Sequence, residues 1–408
     1  MAISASRRAK LRERSLAVLK ENRRETDGYQ YTMPSPSTYP YQWLWDSCFH
    51  AIVLSYFDIE DAKSEIRSLL VHQFENGMIP HMVYWVPGEL IDIKWGKERT
   101  SSITQPPILA QAVWEIFERD RDEAFLKEVY PNLYHFYQFL MTDRDPRRNN
   151  LIGIINPDES GEDNSPRFDI PLGLPPMHTL EENFESRLKL VQQLESCNFD
   201  APFCMKRYFW VKDVPFNAIM VKNLEQLGKI AAHVGHPEDA AIFAGDAKVI
   251  ASAMRERMYE DGIFWPTYGE DYIKMKIKTW AIFSPMFAGI LSHEEANVLV
   301  AEHLLNKSEF DATYMIPTVA QNEPSYDAQG FWRGPVWIGT NWFMYRALMD
   351  YGFIEEAERV LEASVALLEK SGFREYFDPM TGEGLGAQEF TWGSLIVDMF
   401  DYKPRALV

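Results

Sequence analysis

Residues 214–258, VPFNAIMVKNLEQLGKIAAHVGHPEDAAIFAGDAKVIASAMRERM, read as two helices, 214–233 and 237–258, parted only by the turn Gly235-His236-Pro237. So short a connection makes them antiparallel neighbours, a helical hairpin. The arrangement recurs where Asp58-Ile59-Glu60 joins candidates at 43–57 and 60–74, and where Tyr351-Gly352-Phe353 joins 333–351 and 354–371. Other segments with apolar residues at i, i+3, i+4 and i+7 fall at Leu11–Leu19, 106–119, 122–143, 179–197, 278–290, 293–304 and 390–401. Thirteen helices with little strand signal make about six hairpins, and no fixed-period repeat marks an open solenoid. The expected fold is all-α, a closed (α/α)6 barrel formed by residues 1–408 as a single domain.

The composition fits an ordinary globular enzyme: of 408 residues, 46% are hydrophobic and 25% charged, which excludes global disorder. With 41 Lys and Arg against 60 Asp and Glu, the net charge of −19 repels phosphate backbones and anionic bilayers. Neither nucleic acid nor a membrane is expected as a partner. The basic start MAISASRRAK leads into no apolar h-region, and no run of about 20 apolar residues follows, so a cytoplasmic location is expected. Cys48, Cys197 and Cys204 show neither CxxC spacing nor clustered histidines, so a disulfide framework and a zinc site are both unexpected. The chain also lacks a GxSxG elbow, an HExxH helix, a phosphate-binding glycine loop and a dinucleotide fingerprint. No metal and no cofactor is expected, and association into a homo-oligomer is left open.

Segments 23–42, 78–104, 145–178, 259–277 and 305–332 lack helical periodicity, and loops this long in a compact domain usually carry function. Four constellations lie in or beside them. In Tyr39-Pro40-Tyr41-Gln42-Trp43-Leu44-Trp45-Asp46-Ser47, Asp46 or Ser47 suits a helix cap, while Tyr39 and the tryptophans beside a carboxylate equally suit a stacking platform for a sugar ring. The stretch 156–169 packs Asp158, Glu159, Glu162, Asp163 and Asp169 among Pro157, Gly161 and Pro166, fixing a backbone that a passive acidic loop does not need. In Phe331-Trp332-Arg333-Gly334-Pro335-Val336-Trp337 the arginine offers a planar fork to substrate or to an internal carboxylate. The fourth, 373–392, spaces Gly382, Gly384 and Gly386 by two, which permits close approach of the backbone. His81 follows Gly77-Met78-Ile79-Pro80 in a loop and suits either a structural role or a bond to a substrate hydroxyl.

Together, YQWLWDS (41–47), PDESGEDNSPRFD (157–169), FWRGPVW (331–337) and REYFDPMTGEGLGAQEFTW (374–392) resemble glycoside hydrolase family 63, especially its short bacterial members acting on mannosylglycerate or glucosylglycerate. The resemblance implies the same barrel and an inverting mechanism, with Asp163 as general acid and Glu375 as general base. It further implies that Trp43, Trp45 and Asp46 hold the glycosyl ring, with Gln105, Trp332, Arg333, Trp337 and Gln388 around it. An inverting pair needs one protonated and one ionised carboxyl on opposite faces of the sugar, and two distant loops meeting across a barrel mouth supply that. Asp163 must retain its proton near neutrality, by aromatic desolvation or by the charges of Asp158, Glu159 and Glu162.

One position departs from the pattern, since Phe331 stands where relatives recognising glycerate often carry tyrosine. A glycerate carboxylate requires a cation, for which Lys94, Lys97, Arg99 and Arg167 are the candidates. The alternatives are an α-glucosidase for another disaccharide or oligosaccharide, separable by the pocket depth that loop 78–104 sets, and a non-catalytic sugar-binding toroid. Segment 29–42 is a candidate lid.

Overall fold

The computed structural model describes residues 3–86 and 99–404. Its helices are α1 (Ala5–Asn22), α2 (Leu44–Leu54), α3 (Ile59–Leu70), α4 (Leu109–Asp120), α5 (Glu123–Asp143), α6 (Asp169–Leu172), α7 (Leu180–Ser196) and α8 (Ala201–Arg207). The second half adds α9 (Val214–His233), α10 (Pro237–Arg257), α11 (Ser284–Phe287), α12 (His293–Leu299), α13 (Ile338–Tyr351), α14 (Ile354–Ser371) and α15 (Ile396–Asp401).

The 214–258 hairpin forms as read. Asp213 caps α9 through the Phe216 amide, and Pro215 and Pro237 open α9 and α10 in first-turn positions where a missing N–H costs nothing. Within this pair α9 is buried on nearly every side, whereas α10 buries one stripe led by Phe243, Ile250 and Met254. An all-round apolar helix belongs inside and a striped one outside. The inner helices close on themselves: α2 packs on α4, α4 on α9, α9 on α11, α11 on α13, α13 on the 3-10 turn Thr391–Leu395 that leads into α15, and that turn on α2. Outside them α1 covers the last unit, while α3, α5, α10 and α14 cover α2, α4, α9 and α13. This is the expected (α/α)6 toroid.

All thirteen expected helical segments are helical, three of them as composites with a 3-10 or π turn: 280–287, 293–304 and 391–401. The segment expected from 333 starts as a helix only at Ile338, because Val336 bridges to Phe377 instead. Two short helices, α6 and α8, went unread, being four and seven residues long and too brief to show a period. The cysteine reading is corrected as well. Cys197, at the end of α7, and Cys204, in α8, are joined by a disulfide, because the turn at Asn198-Phe199-Asp200 folds one helix end back onto the next. Cys48 remains a buried free thiol.

A buried ion cluster ties the inner helices together. The Arg346 guanidinium on α13 donates to both oxygens of Glu115 on α4 (2.6 and 2.9 Å) and to both of Asp398 on α15 (2.9 and 3.0 Å), and Trp342 Nε1 also donates to Asp398. Removing one partner of such a cluster strands buried charge. Arg346→Met is therefore expected to lower stability by about 3–5 kcal/mol, read from the midpoint of a urea transition against the unmodified protein.

Candidate active site

Where the loops converge on one end of the inner ring lies a cavity of about 340 Å³. Its walls include Tyr39, Trp43, Trp45, Asp46, His81, Gln105, Asp163, Trp332, Trp337 and Glu375, ten of the twelve residues expected there. Arg333 and Gln388 are not among the lining residues. The Arg333 fork pairs with both oxygens of Asp169 at 2.9 Å and donates to the carbonyls of Asn164 and Pro176, which occupies the four N–H groups of its terminal nitrogens. Gln388 lies on the strand Gly384–Gln388 with an exposed side chain, and its carbonyl accepts from Ser35 Oγ. The structure thus places both residues off the cavity wall on which they were expected.

The loop 156–169 that carries Asp163 is built, not draped. Glu159 receives both terminal nitrogens of Arg144 at 2.6 Å and the amides of Thr104 and Ile155. Glu162 is held by Arg167 and by Trp280 Nε1, and Arg167 is anchored in turn on Asp213, the cap of α9. Asn164 accepts from the Trp332 amide and donates to the Gly330 carbonyl, fastening this loop to the tryptophan loop. Gly161 is required between them: its φ is +71°, and a Cβ there would lie 2.2 Å from the Trp45 indole. Glu159, Glu162 and Asp169 are thus structural, leaving Asp163 and Asp158 on the cavity wall. Burial pushes the Asp163 carboxyl up, Arg187 opposes this, and Asp158 reinforces it. Glu159 and Glu162, expected to contribute charge, are neutralised by their arginines.

Glu375 sits on the strand Arg374–Phe377, paired with Gly384–Gln388. Its Oε1 accepts from Tyr39 OH at 2.6 Å and its Oε2 from the Ala387 amide at 2.7 Å. A Cβ on Gly386 would meet Oε2 at 2.3 Å, so the glycine spacing serves the carboxylate itself. Burial raises Glu375 to about 7 against its two donors, and the Asp163 charge adds to the rise. Among the described residues no hydrogen bond joins Glu375 to Asp163, although the Asp163 charge reaches Glu375.

Between these carboxyls lies an aromatic floor. Trp332 and Trp337 stack at 3.8 Å and 6°, and Trp45 meets Trp392 edge-on at 4.9 Å. Trp392 Nε1 donates to Asp46 Oδ1 at 2.6 Å. The capping reading of the first constellation fails: α2 begins without a side-chain cap, and Ser47 Oγ bonds Glu65 instead. Burial lifts Asp46 to about 6, and His50 and Trp392 hold it from rising further. His81 is pushed down to about 3 by burial, so it is a neutral imidazole, with Nδ1 2.7 Å from Ser101 Oγ.

Segment 29–42 delivers Tyr39 and is anchored along its length. Tyr29–Thr32 pairs with Arg23–Thr26, the Pro34 carbonyl accepts from the Thr391 amide, and Ser35 bridges to Tyr39.

Ten wall residues lie outside the expected site set, among them Trp392, Asp158, Phe184 and Arg187. The first two stand within quoted motifs, whereas Phe184 and Arg187 come from α7, an ordinary amphipathic helix opened by a Thr179–Glu182 capping box. Arg187 Nη1 lies 2.6 Å from Asp158 and 3.0 Å from Asp163. Of the cations expected near the outer subsite, Arg167 is buried between Glu162 and Asp213 and Arg99 is exposed beside Asp27, while Lys94 and Lys97 lie outside the described residues.

A toroid of helical hairpins whose cavity is lined by two carboxyls, Asp163 and Glu375, and by five tryptophans is the architecture of a glycoside hydrolase. Residues 39–393 match the mannosylglycerate hydrolase MGH1-like glycoside hydrolase domain, and the chain belongs to that family. It is 32% identical to the mannosylglycerate hydrolase of Thermus thermophilus over 94% of this chain and 98% of that one. It is 27% identical to the glucosylglycerate hydrolase of Mycolicibacterium hassiacum over 90% of this chain and 93% of that one. The crystal structure of the family 63 mannosylglycerate hydrolase from Thermus thermophilus with Tris and D-glycerate superposes with a TM-score of 0.88 at 32% identity, covering 96% of this chain and all of that one.

Proposed function

We propose that this protein is an inverting hydrolase of α-glycosides of glycerate, with α-mannosylglycerate and α-glucosylglycerate as its substrates. The observation that carries the aglycone is Arg187, a cation on the cavity wall beside the acid Asp163. A cavity of about 340 Å³ suits one sugar ring and a three-carbon acid better than an oligosaccharide. The substrates of the two relatives support the same choice.

In this reading Asp163 protonates the glycosidic oxygen as the bond to the anomeric carbon breaks. Glu375 takes a proton from the water that attacks the opposite face, so an α-glycoside yields the β-anomer and glycerate. Glu375 then sheds its proton to solvent and Asp163 regains one. The Arg187 ion pair gives the substrate a part in arming the acid. A glycerate carboxylate that engages Arg187 draws the cation from Asp163 and adds an anion nearby, and both effects raise the Asp163 pKa toward the protonated form catalysis needs.

An NMR time course on α-mannosylglycerate, α-glucosylglycerate and the corresponding glycosylglycerols tests this, with Arg187→Met in parallel. Expected are β-sugar as first product and a preference for the carboxylate-bearing substrates that Arg187→Met abolishes. First release of α-sugar, or equal turnover of glycosylglycerols by the unmodified protein, overturns the reading.

A further inference from the structure

Next to Arg187 the cavity wall carries an aromatic side chain that the fold leaves unpacked. Leu180, Phe184 and Arg187 recur on α7 at i, i+4 and i+7 and so share one face, and the last two line the cavity. Every other phenylalanine, tyrosine and tryptophan of the wall packs against another ring, as Tyr39 does on Trp43 and Phe390 on Trp392. Phe184 lies outside the hydrophobic core and meets no second ring among the described residues; its ring centre instead has the Arg187 guanidinium 5.9 Å away. Phe184 is 44% exposed, and Leu180, one turn nearer the start of α7 and outside the cavity lining, is 57% exposed. The apolar strip therefore runs from the wall past the rim. A large apolar side chain left in water adds nothing to folding, and on a cavity wall it marks where a ligand buries apolar surface. Arg187 is the fixed point of this face. Its Nε donates to Asn183 Oδ1 at 3.0 Å and its Nη1 to Asp158 at 2.6 Å, with Asp163 at 3.0 Å, whereas Nη2 makes no hydrogen bond among the described residues.

We propose that Phe184 is a specificity-determining residue and that the substrates extend to α-glycosides of 2-hydroxy acids whose carbon 3 is apolar, with lactate and 3-phenyllactate as the types. This rests on the hydrolytic reading, with Arg187 holding the carboxylate, and adds what the rest of the aglycone meets. In a 2-hydroxy acid the glycosidic oxygen, the carboxylate and the side chain all leave one carbon. With the oxygen at Asp163 and the carboxylate on the neighbouring Arg187, the third substituent falls to the next group on that face, Phe184. A hydroxymethyl group gains little from an aromatic ring, whereas a methyl or phenyl group covers it. An apolar contact rejects an added hydroxyl only weakly, so glycerate remains a substrate. The cavity of about 340 Å³ does not limit the substituent, because Phe184 is half exposed and Leu180 lies beyond the lining. A phenyl ring rests on the strip without entering the space of the sugar.

Two measurements decide the matter. Steady-state kcat/KM is compared for the α-glucosides of D-glycerate, D-lactate and D-3-phenyllactate. The phenyllactate glucoside is expected to match or exceed the glycerate glucoside, and the ratio of the two to fall roughly tenfold in Phe184→Ser, with Phe184→Leu in between. A ratio does not respond to a general loss of activity or of folded protein, so a merely structural role for Phe184 would leave it unmoved. An unchanged ratio in Phe184→Ser, or a phenyllactate glucoside slower than the glycerate glucoside by more than roughly tenfold, overturns the proposal. The free acid gives a readout that needs no hydrolysis. In saturation-transfer NMR on the full-length protein, the phenyl protons of 3-phenyllactate are expected to receive a signal that Phe184→Ser removes, and its absence from the unmodified protein also overturns the proposal. The two failures separate: turnover of the glycerate glucoside alone removes this proposal and leaves the hydrolytic reading, whereas turnover of none removes both, with the phenyl signal still reporting whether Phe184 holds the ring.

Discussion

With Asp163 replaced by asparagine, hydrolysis of a glycosylglycerate is expected to fall roughly a hundred- to ten-thousand-fold, with the melting temperature nearly unchanged. The side chain keeps its volume and loses the proton that the proposed mechanism has it deliver, together with its ion pair to Arg187. Its neighbours Glu162 and Asn164 stay fixed by Arg167, Trp280 and the tryptophan loop, and Arg187 keeps Asp158 at 2.6 Å. A defect confined to proton donation depends on the leaving group. An α-glycosyl fluoride departs without protonation, so on that substrate the variant is expected to approach the unmodified enzyme. Equal slowing of fluoride and glycoside in steady-state assays would remove Asp163 from the acid role.

The toroid was legible because its hairpins carry their turns in the sequence: Gly235-His236-Pro237 reverses the chain whatever packs around it. Ten wall residues were legible for a different reason, since aromatic and acidic side chains crowd into loops that core packing does not require. The failures share a cause. Whether Arg333 faces substrate depends on Asp169, a partner 164 residues away, and no local pattern reports such a pairing. Arg187 faces the converse problem, an arginine on a plain amphipathic helix that becomes a site residue only because α7 lies over the loop 156–169. Cys197 and Cys204 likewise pair through the fold of a turn, not through a recognisable spacing.

Glu375→Gln is expected to abolish turnover to a similar degree, roughly a hundred- to ten-thousand-fold, and to leave a signature in stability that Asp163→Asn does not share. In the proposed mechanism Glu375 works ionised as the base, and burial places its pKa at about 7, so kcat/KM of the unmodified enzyme is expected to decline as pH falls below about 7. The same shift reverses sign for folding. A carboxyl whose pKa is raised in the folded chain binds its proton more tightly there than when unfolded, so its contribution to stability is complete below about 4.5 and is lost as pH rises through about 7. Glutamine cannot ionise. Relative to the variant, the unmodified enzyme should therefore lose ground between pH 5 and pH 8, and thermal melts of both proteins across that window measure it. At every pH the variant forgoes one acceptor, because an amide cannot receive both Tyr39 OH and the Ala387 amide as the carboxylate does. That penalty is constant, whereas the ionisation cost grows with pH, so the pH dependence of the difference isolates the buried charge. A flat difference across the window would mean that Glu375 ionises as readily in the folded protein as in the unfolded chain, and the acid limb of kcat/KM would then belong to another group, with Asp46, at about 6, the first to examine.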